Sequence, residues 1–308
     1  MDTLHQLELE IREYIYHPRV QHVIMRDRRD WMQLCASLDV IGDSQLAIDA
    51  YSASTIDRGS GLAYLQVFGL FQAFFLQQDA TTHLAEVLQI TLPDNAGLRE
   101  VRDTRNDIVG HPTKRGNKNS RTSHAISRVS LSKWQVDVVS TTPASADIIL
   151  RTINVHRQLE LQLNGVVGRL RQILQEIQTR ERKHAMNFTD HKLADIFPQT
   201  MSYHCGKISE GIHRSSDIPL ARVNLEMVNS WVETFRTALT DRDELPGNEF
   251  IQYHFDQLQN PFDRLRGFFD GNSPLNAEDA YAIAFFLHAK IKELAEIAAQ
   301  FDETYTNQ

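Results

Sequence analysis

Apolar residues recur every three or four positions over most of the chain, the spacing of one helix face. Amphipathic helices are predicted over residues 3–16 and 19–39, broken at Pro18, and another, capped by Asp43 or Ser44, runs through about Ser52. Residues 57–61, DRGSG, form a turn. The most apolar helix follows, from about Leu62 to Ile90, and stops before Pro93. A short helix from about Leu98 to Val109 is then ended by Gly110 and Pro112.

The period changes at Ala125, where β-branched residues and Trp134 alternate with polar ones, and this predicts a hairpin over about 124–140. After Pro143, helical spacing from Ile148 to about Ile177 predicts one long helix trailing into charge at Arg180–Lys183. Residues 187–199 form the best linker, and helices over 220–239, 249–269 and from an Asn276 cap to about Phe301 follow it. The expected fold class is therefore all-α: a helical bundle with a short β-hairpin insertion and a C-terminal helical extension. Two domains are expected, residues 1–186 and residues 187–308, the second with no role assigned.

Composition narrows the class. The 308 residues are 42% hydrophobic and 23% charged, which excludes disorder and collagen. Lys and Arg total 32 against 40 Asp and Glu, so a net charge of −8 provides no whole-chain field for a polyanion, and any nucleic-acid contact must be local. Two cysteines, Cys35 and Cys205, make no disulfide framework, and no secretory leader opens the chain; a reducing cytoplasm is the expected location. Residues 61–77 carry no charge, but a spanning helix needs about 20 apolar residues and Gln66 and Gln72 interrupt this one. A buried helix at the centre of the bundle is expected, with no membrane partner.

The stretch 98–115, LREVRDTRNDIVGHPTKR, carries the candidate chemistry. At about 100° per residue Leu98, Val101, Ile108 and Val109 share a face, and Arg105 falls near its middle. A guanidinium there must meet a carboxylate, a wet cleft or an incoming anion. His111 follows just past the helix end, where Gly110 lets the chain turn and Pro112 sets its exit.

Arg105, Asn106 and His111, an Arg-Asn pair followed by four residues and His at the end of a helix that follows a long apolar one, resemble the motif of the HEPN superfamily. These are helical domains of prokaryotic ribonuclease toxins and phage-defence effectors. The resemblance covers about residues 1–183 at fold level and implies metal-independent RNA cleavage by ribose 2′-hydroxyl attack, with no cofactor. It implies that His111 handles protons, that Arg105 holds the phosphate and its growing charge, and that Asn106 orients the pair. It also implies a homodimer with a composite site, a toxin or defence role, and an antitoxin or regulatory protein as a further partner. The alternative is a non-catalytic module of the same fold that binds or senses RNA or a protein. A second Arg-to-His spacing, Arg151–His156, lacks the Asn, Asp or His after the Arg and falls inside the predicted long helix.

Lys114, Arg115, Lys118 and Arg121 follow the motif with no acid between them and are the candidate RNA-phosphate ligands, or else a solvated loop. Asp79, the first acid after the apolar stretch, is an accessory candidate that pairs with Arg105 or polarises the site; Arg102 is the other. His184, His191, His204, Cys205 and His213 match no standard zinc spacing, so no metal is expected. No P-loop, dinucleotide fingerprint or nucleophile elbow occurs.

Overall fold

The computed structural model describes residues 3–117, 121–142 and 145–306. Among them are ten α-helices and one three-stranded antiparallel sheet, in two units. The first unit holds Met1–Tyr16 and Ile24–Ile177, the second His17–Val23 and Gln178–Gln308.

The first unit begins with α1 (Leu4–Ile15), opened by a capping box in which Thr3 accepts from the Gln6 amide at 3.2 Å while the Gln6 side chain accepts from the Thr3 amide at 2.8 Å. After α2 (Pro18–Met25), Asp27 caps α3 (Arg28–Ala53). α3 is continuous where two helices were expected. Ser44 lies buried within it, because Leu34, Leu38, Ile41, Ile48 and Tyr51 keep one apolar stripe on the core and that stripe outweighs a local cap. At its far end Lys133 donates to the carbonyls of Ser52 and Ser54 at 2.7 and 2.6 Å, a cation on the negative pole of the helix.

Ser60 caps α4 (Gly61–Val87), and Asn95 caps α5 (Ala96–Arg105). α4 packs along α3, and its Phe71 and Phe74 are wholly buried. It is not covered all round, however. Leu62, Leu65, Phe68 and Leu76 remain exposed, Leu65 by 68%, so the expectation of a helix sunk at the centre of the bundle fails on one face.

The sheet departs from the expected hairpin. β1 (Ser123–Ile126), β2 (Gln135–Thr142) and β3 (Ser145–Asn154) lie in that order, with His124 opposite Ser140 and Val138 opposite Arg151. Residues 148–154, predicted as the start of the long helix, are thus a strand. Ile148, Ile149, Thr152 and Ile153 are β-branched, and pairing with β2 overrides their helical spacing. Val136, Val138 and Ile153 turn inward onto the core that Ile48, Val67, Phe71 and Val101 build. α6 (Val155–Met186) then starts at Val155, with Arg151 outside it.

Arg102 and a group of buried amides fix α5 on α4. Gln78 donates to the Leu98 carbonyl at 3.1 Å and to Gln162 at 2.8 Å, while Gln162 donates to the Phe74 carbonyl and to Gln77. Gly165 of α6 lets Leu98 approach closely, since a Cβ there would fall 2.5 Å from its Cγ.

The second unit packs α7 (Met201–His213), α8 (Ile218–Asp241), α9 (Glu249–Phe269) and α10 (Ala277–Thr306) around Leu225, Val228, Phe235, Phe255, Leu258 and Leu287. Residues 187–199 are not the loose linker expected. Leu193 is wholly buried in this core, and Asp302 accepts from the amides of Leu193 and Ala194 at 2.9 Å each. Apolar anchoring of Leu193 and Phe197 outweighs the polar composition of the stretch.

Candidate active site

α5 ends at Arg105 and the chain continues as one π-helical turn, Asn106–Gly110, closed by the His111 amide donating to the Asn106 carbonyl at 2.8 Å. Such widened turns interrupt helices most often where a side chain must be re-aimed. Ile108 is buried beneath it, and His111 emerges exposed, with φ −137° and ψ 48°, outside both helical and extended backbone.

Arg105 is half-buried. One of its terminal nitrogens donates to Asn106 Oδ1 at 3.1 Å and the other to Gln72 Oε1 at 2.8 Å, while its guanidinium carbon sits 4.2 Å from the centre of the Phe75 ring. All these partners are neutral, and Nε, also buried, has no partner among the described residues. Its charge is therefore stabilised by dipoles and a π face without being cancelled. Gly110 is what admits this arrangement: a Cβ there would lie 2.5 Å from Nη1 of Arg105 and 3.2 Å from Asn106 Oδ1. The guanidinium thus rests against the residue immediately before His111, whose ring makes no hydrogen bond with the described residues.

Asp79 pairs with Arg102 and not with Arg105. Arg102 also donates to Gln78 Oε1 at 3.2 Å and lies 4.7 Å from the Phe75 ring centre. Of the basic segment, Lys114 and Arg121 are exposed, and Lys118 lies outside the described residues. Arg115 is turned inward, bonded to Asp103 at 2.7 Å and to Asp107, so the four cations do not form one open patch.

Asp107 escaped the sequence reading. It is 5% exposed, and besides Arg115 it accepts from Arg151 of β3 at 2.7 Å, with His124 Nε2 at 3.5 Å. His124 in turn holds Ser140 at 2.8 Å, and its amide donates to the Pro112 carbonyl at 2.6 Å. These bonds tie the segment that leaves His111 to the sheet. The only signal in sequence was an acid two residues from Arg105, which by itself reads as solvated.

Among the described residues no three His, Cys, Asp or Glu side chains group as metal ligands. His204 is bonded to Asn224 at 2.6 Å, His184 lies against Tyr305, and burial pushes the Cys205 thiol up to about 11, which makes it a packing residue rather than a nucleophile. No helix among the described residues is long and apolar enough to cross a membrane. No protein-family model, curated protein or solved structure matches the chain.

Proposed function

We propose that the chain is a HEPN-type endoribonuclease that cuts RNA by 2′-hydroxyl attack, in the cytoplasm, as a toxin or defence effector. One observation carries the reading: Arg105 keeps an uncancelled charge, held by neutral partners against Gly110, one residue from an exposed histidine. A phosphodiester brought to this corner meets a guanidinium fork for two of its oxygens and an imidazole for a proton.

In the reaction the 2′-oxygen bonds to the adjacent phosphorus as its proton passes to a histidine. The bond to the 5′-oxygen breaks as that oxygen takes a proton. Arg105 stabilises the charge on the non-bridging oxygens, and Asn106 fixes the guanidinium through its amide oxygen. Base and acid are distinct at any instant, so two copies of His111 complete the site in a homodimer. The uncovered face of α4 supports that assembly: Leu62, Leu65, Phe68 and Leu76 are exposed on an uncharged stretch, and Gly69 has open space above it.

The test is cleavage of mixed cellular RNA in excess EDTA by the wild type, Arg105→Ala and His111→Ala. Cleavage lost in both variants, with cyclic-phosphate and 5′-hydroxyl ends from the wild type, is the expected result. An inactive wild type that still binds RNA would favour the non-catalytic module of the same fold.

A further inference from the structure

Arg105 is the first of three guanidiniums spaced along one flank of α4. It meets α4 at Gln72 and Phe75. Arg102 meets it next, at Gln78 and Asp79. Arg169, from α6, follows at Thr82, to whose hydroxyl it donates at 3.4 Å. At about 1.5 Å of rise per residue, the ten residues from Gln72 to Thr82 span about 15 Å. A stacked strand advances about 3.4 Å per nucleotide, so the row covers about four nucleotides.

The charge along this flank is unbalanced. Among the described residues Asp79 is the one carboxylate in ion-pair contact with the three guanidiniums. Like Arg105, Arg169 carries a buried Nε without a partner among the described residues. Burial, and then the charge of Arg102, push the Arg169 guanidinium down from its ordinary value, as expected for neighbouring cations sharing too few acids. A run of anions offsets the repulsion and compensates the buried charge, and phosphates fit the guanidinium fork. The basic segment after the motif competes poorly as a track, because Arg115 is matched by two carboxylates, Asp103 and Asp107, whereas Arg102 meets one and Arg169 is in ion-pair contact with none among the described residues.

We propose that the RNA strand lies along α4, with Arg102 and Arg169 as phosphate subsites beyond the scissile phosphate held at Arg105. This rests on the ribonuclease reading for the role of Arg105, but it can be tested without cleavage.

The probes are 2′-O-methyl RNAs of two and eight nucleotides, which cannot be cut by 2′-attack. Binding to the full chain is read by fluorescence anisotropy across a salt series. For the wild type, the octanucleotide binds more tightly than the dinucleotide. Arg169→Gln should shrink that gain by about five- to tenfold and lower the salt slope by about one phosphate contact. Arg169→Lys should retain the slope, which guards against a folding defect in the glutamine variant. Arg264→Gln, an exposed charge of the second unit, serves as the control.

An unchanged length gain and slope in Arg169→Gln, or an equal loss in Arg264→Gln, would overturn the subsites. If that happens while the wild type cleaves RNA, the subsites alone fail. Length-dependent binding lost in Arg169→Gln, by a wild type that never cleaves, leaves the subsites standing and removes the nuclease. A wild type that neither binds nor cleaves overturns both.

Discussion

The guanidinium of Arg105 occupies the space where a side chain on Gly110 would begin, with Nη1 2.5 Å from the position of its Cβ. The glycine at this position therefore does more than end a helix. Gly110→Ala should swing Arg105 off Gln72 and Asn106 while leaving α5 intact, because Gly110 lies five residues past the end of α5 at Arg105. Misplacing a phosphate ligand by about 1 Å costs on the order of a hundredfold in kcat/KM. We expect that loss in RNA cleavage, with an unchanged far-UV circular dichroism spectrum. Cleavage at the wild-type rate would show that the packing of Arg105 on residue 110 is irrelevant to the site.

Asp107 holds the segment after His111 in place. Removing one partner of a buried ion pair costs about 3–5 kcal/mol, but Arg115 and Arg151 are partly exposed and recover hydration, so about 2 kcal/mol is expected for Asp107→Ala. Urea unfolding should show the lower midpoint. Hydrogen exchange at the amides of Arg115 and His124, which bond across this junction to Thr122 and Pro112, should quicken in the same variant. Exchange as slow as in the wild type would mean the backbone pairing holds the segment without the carboxylate.

Much of this was legible in the sequence because it was local. The helical run that stops at Gly110 and the adjacency of Arg105, Asn106 and His111 follow from residues within seven positions of one another, although the helix expected to reach Val109 stops at Arg105 and widens into a π turn. What was not legible depends on distant partners. Residues 148–154 read as helix until β2 supplies Val138 and Val139 as neighbours for Arg151 and Leu150. Its position after the apolar stretch offers Asp79 to Arg105, and only the seating of α5 on Gln78 gives it to Arg102. Arg169 lies 58 residues past His111, so nothing in its own surroundings marks it.

The uncovered face of α4 sets an expectation about assembly. Leu65 is 68% exposed in the middle of an uncharged run, with Leu62 and Phe68 one turn to either side. In a two-fold dimer a charge there would be buried twice, once from each copy. Sedimentation should find a dimer for the wild type at micromolar concentration and a folded monomer for Leu65→Glu. A wild-type monomer, or a variant that still dimerises, would remove this face from the interface and leave the composite site without its scaffold.

The second unit contains a carboxyl whose titration should be visible in stability. Glu244 is 3% exposed; one oxygen accepts from the Tyr305 hydroxyl at 2.8 Å, with Arg19 at 3.5 Å, and the other has no partner among the described residues. Burial pushes its carboxyl up, outweighing the pull of His17, Tyr305 and Arg19 in the other direction, while Glu181 adds to the rise. Between the ordinary glutamate range and this raised value the folded chain binds more protons than the unfolded one. Stability from this group is therefore complete below that window and falls as pH rises through it, by at most about 1.4 kcal/mol per pH unit. His184 works in the opposite sense: burial lowers its value, so stability from it rises with pH. Comparing Glu244→Gln with the wild type cancels the histidine contribution. The variant should unfold at nearly the wild-type temperature near pH 4 and at a higher one near pH 8. A difference in unfolding temperature that stays constant between those two pH values would mean Glu244 titrates alike in the folded and unfolded chain.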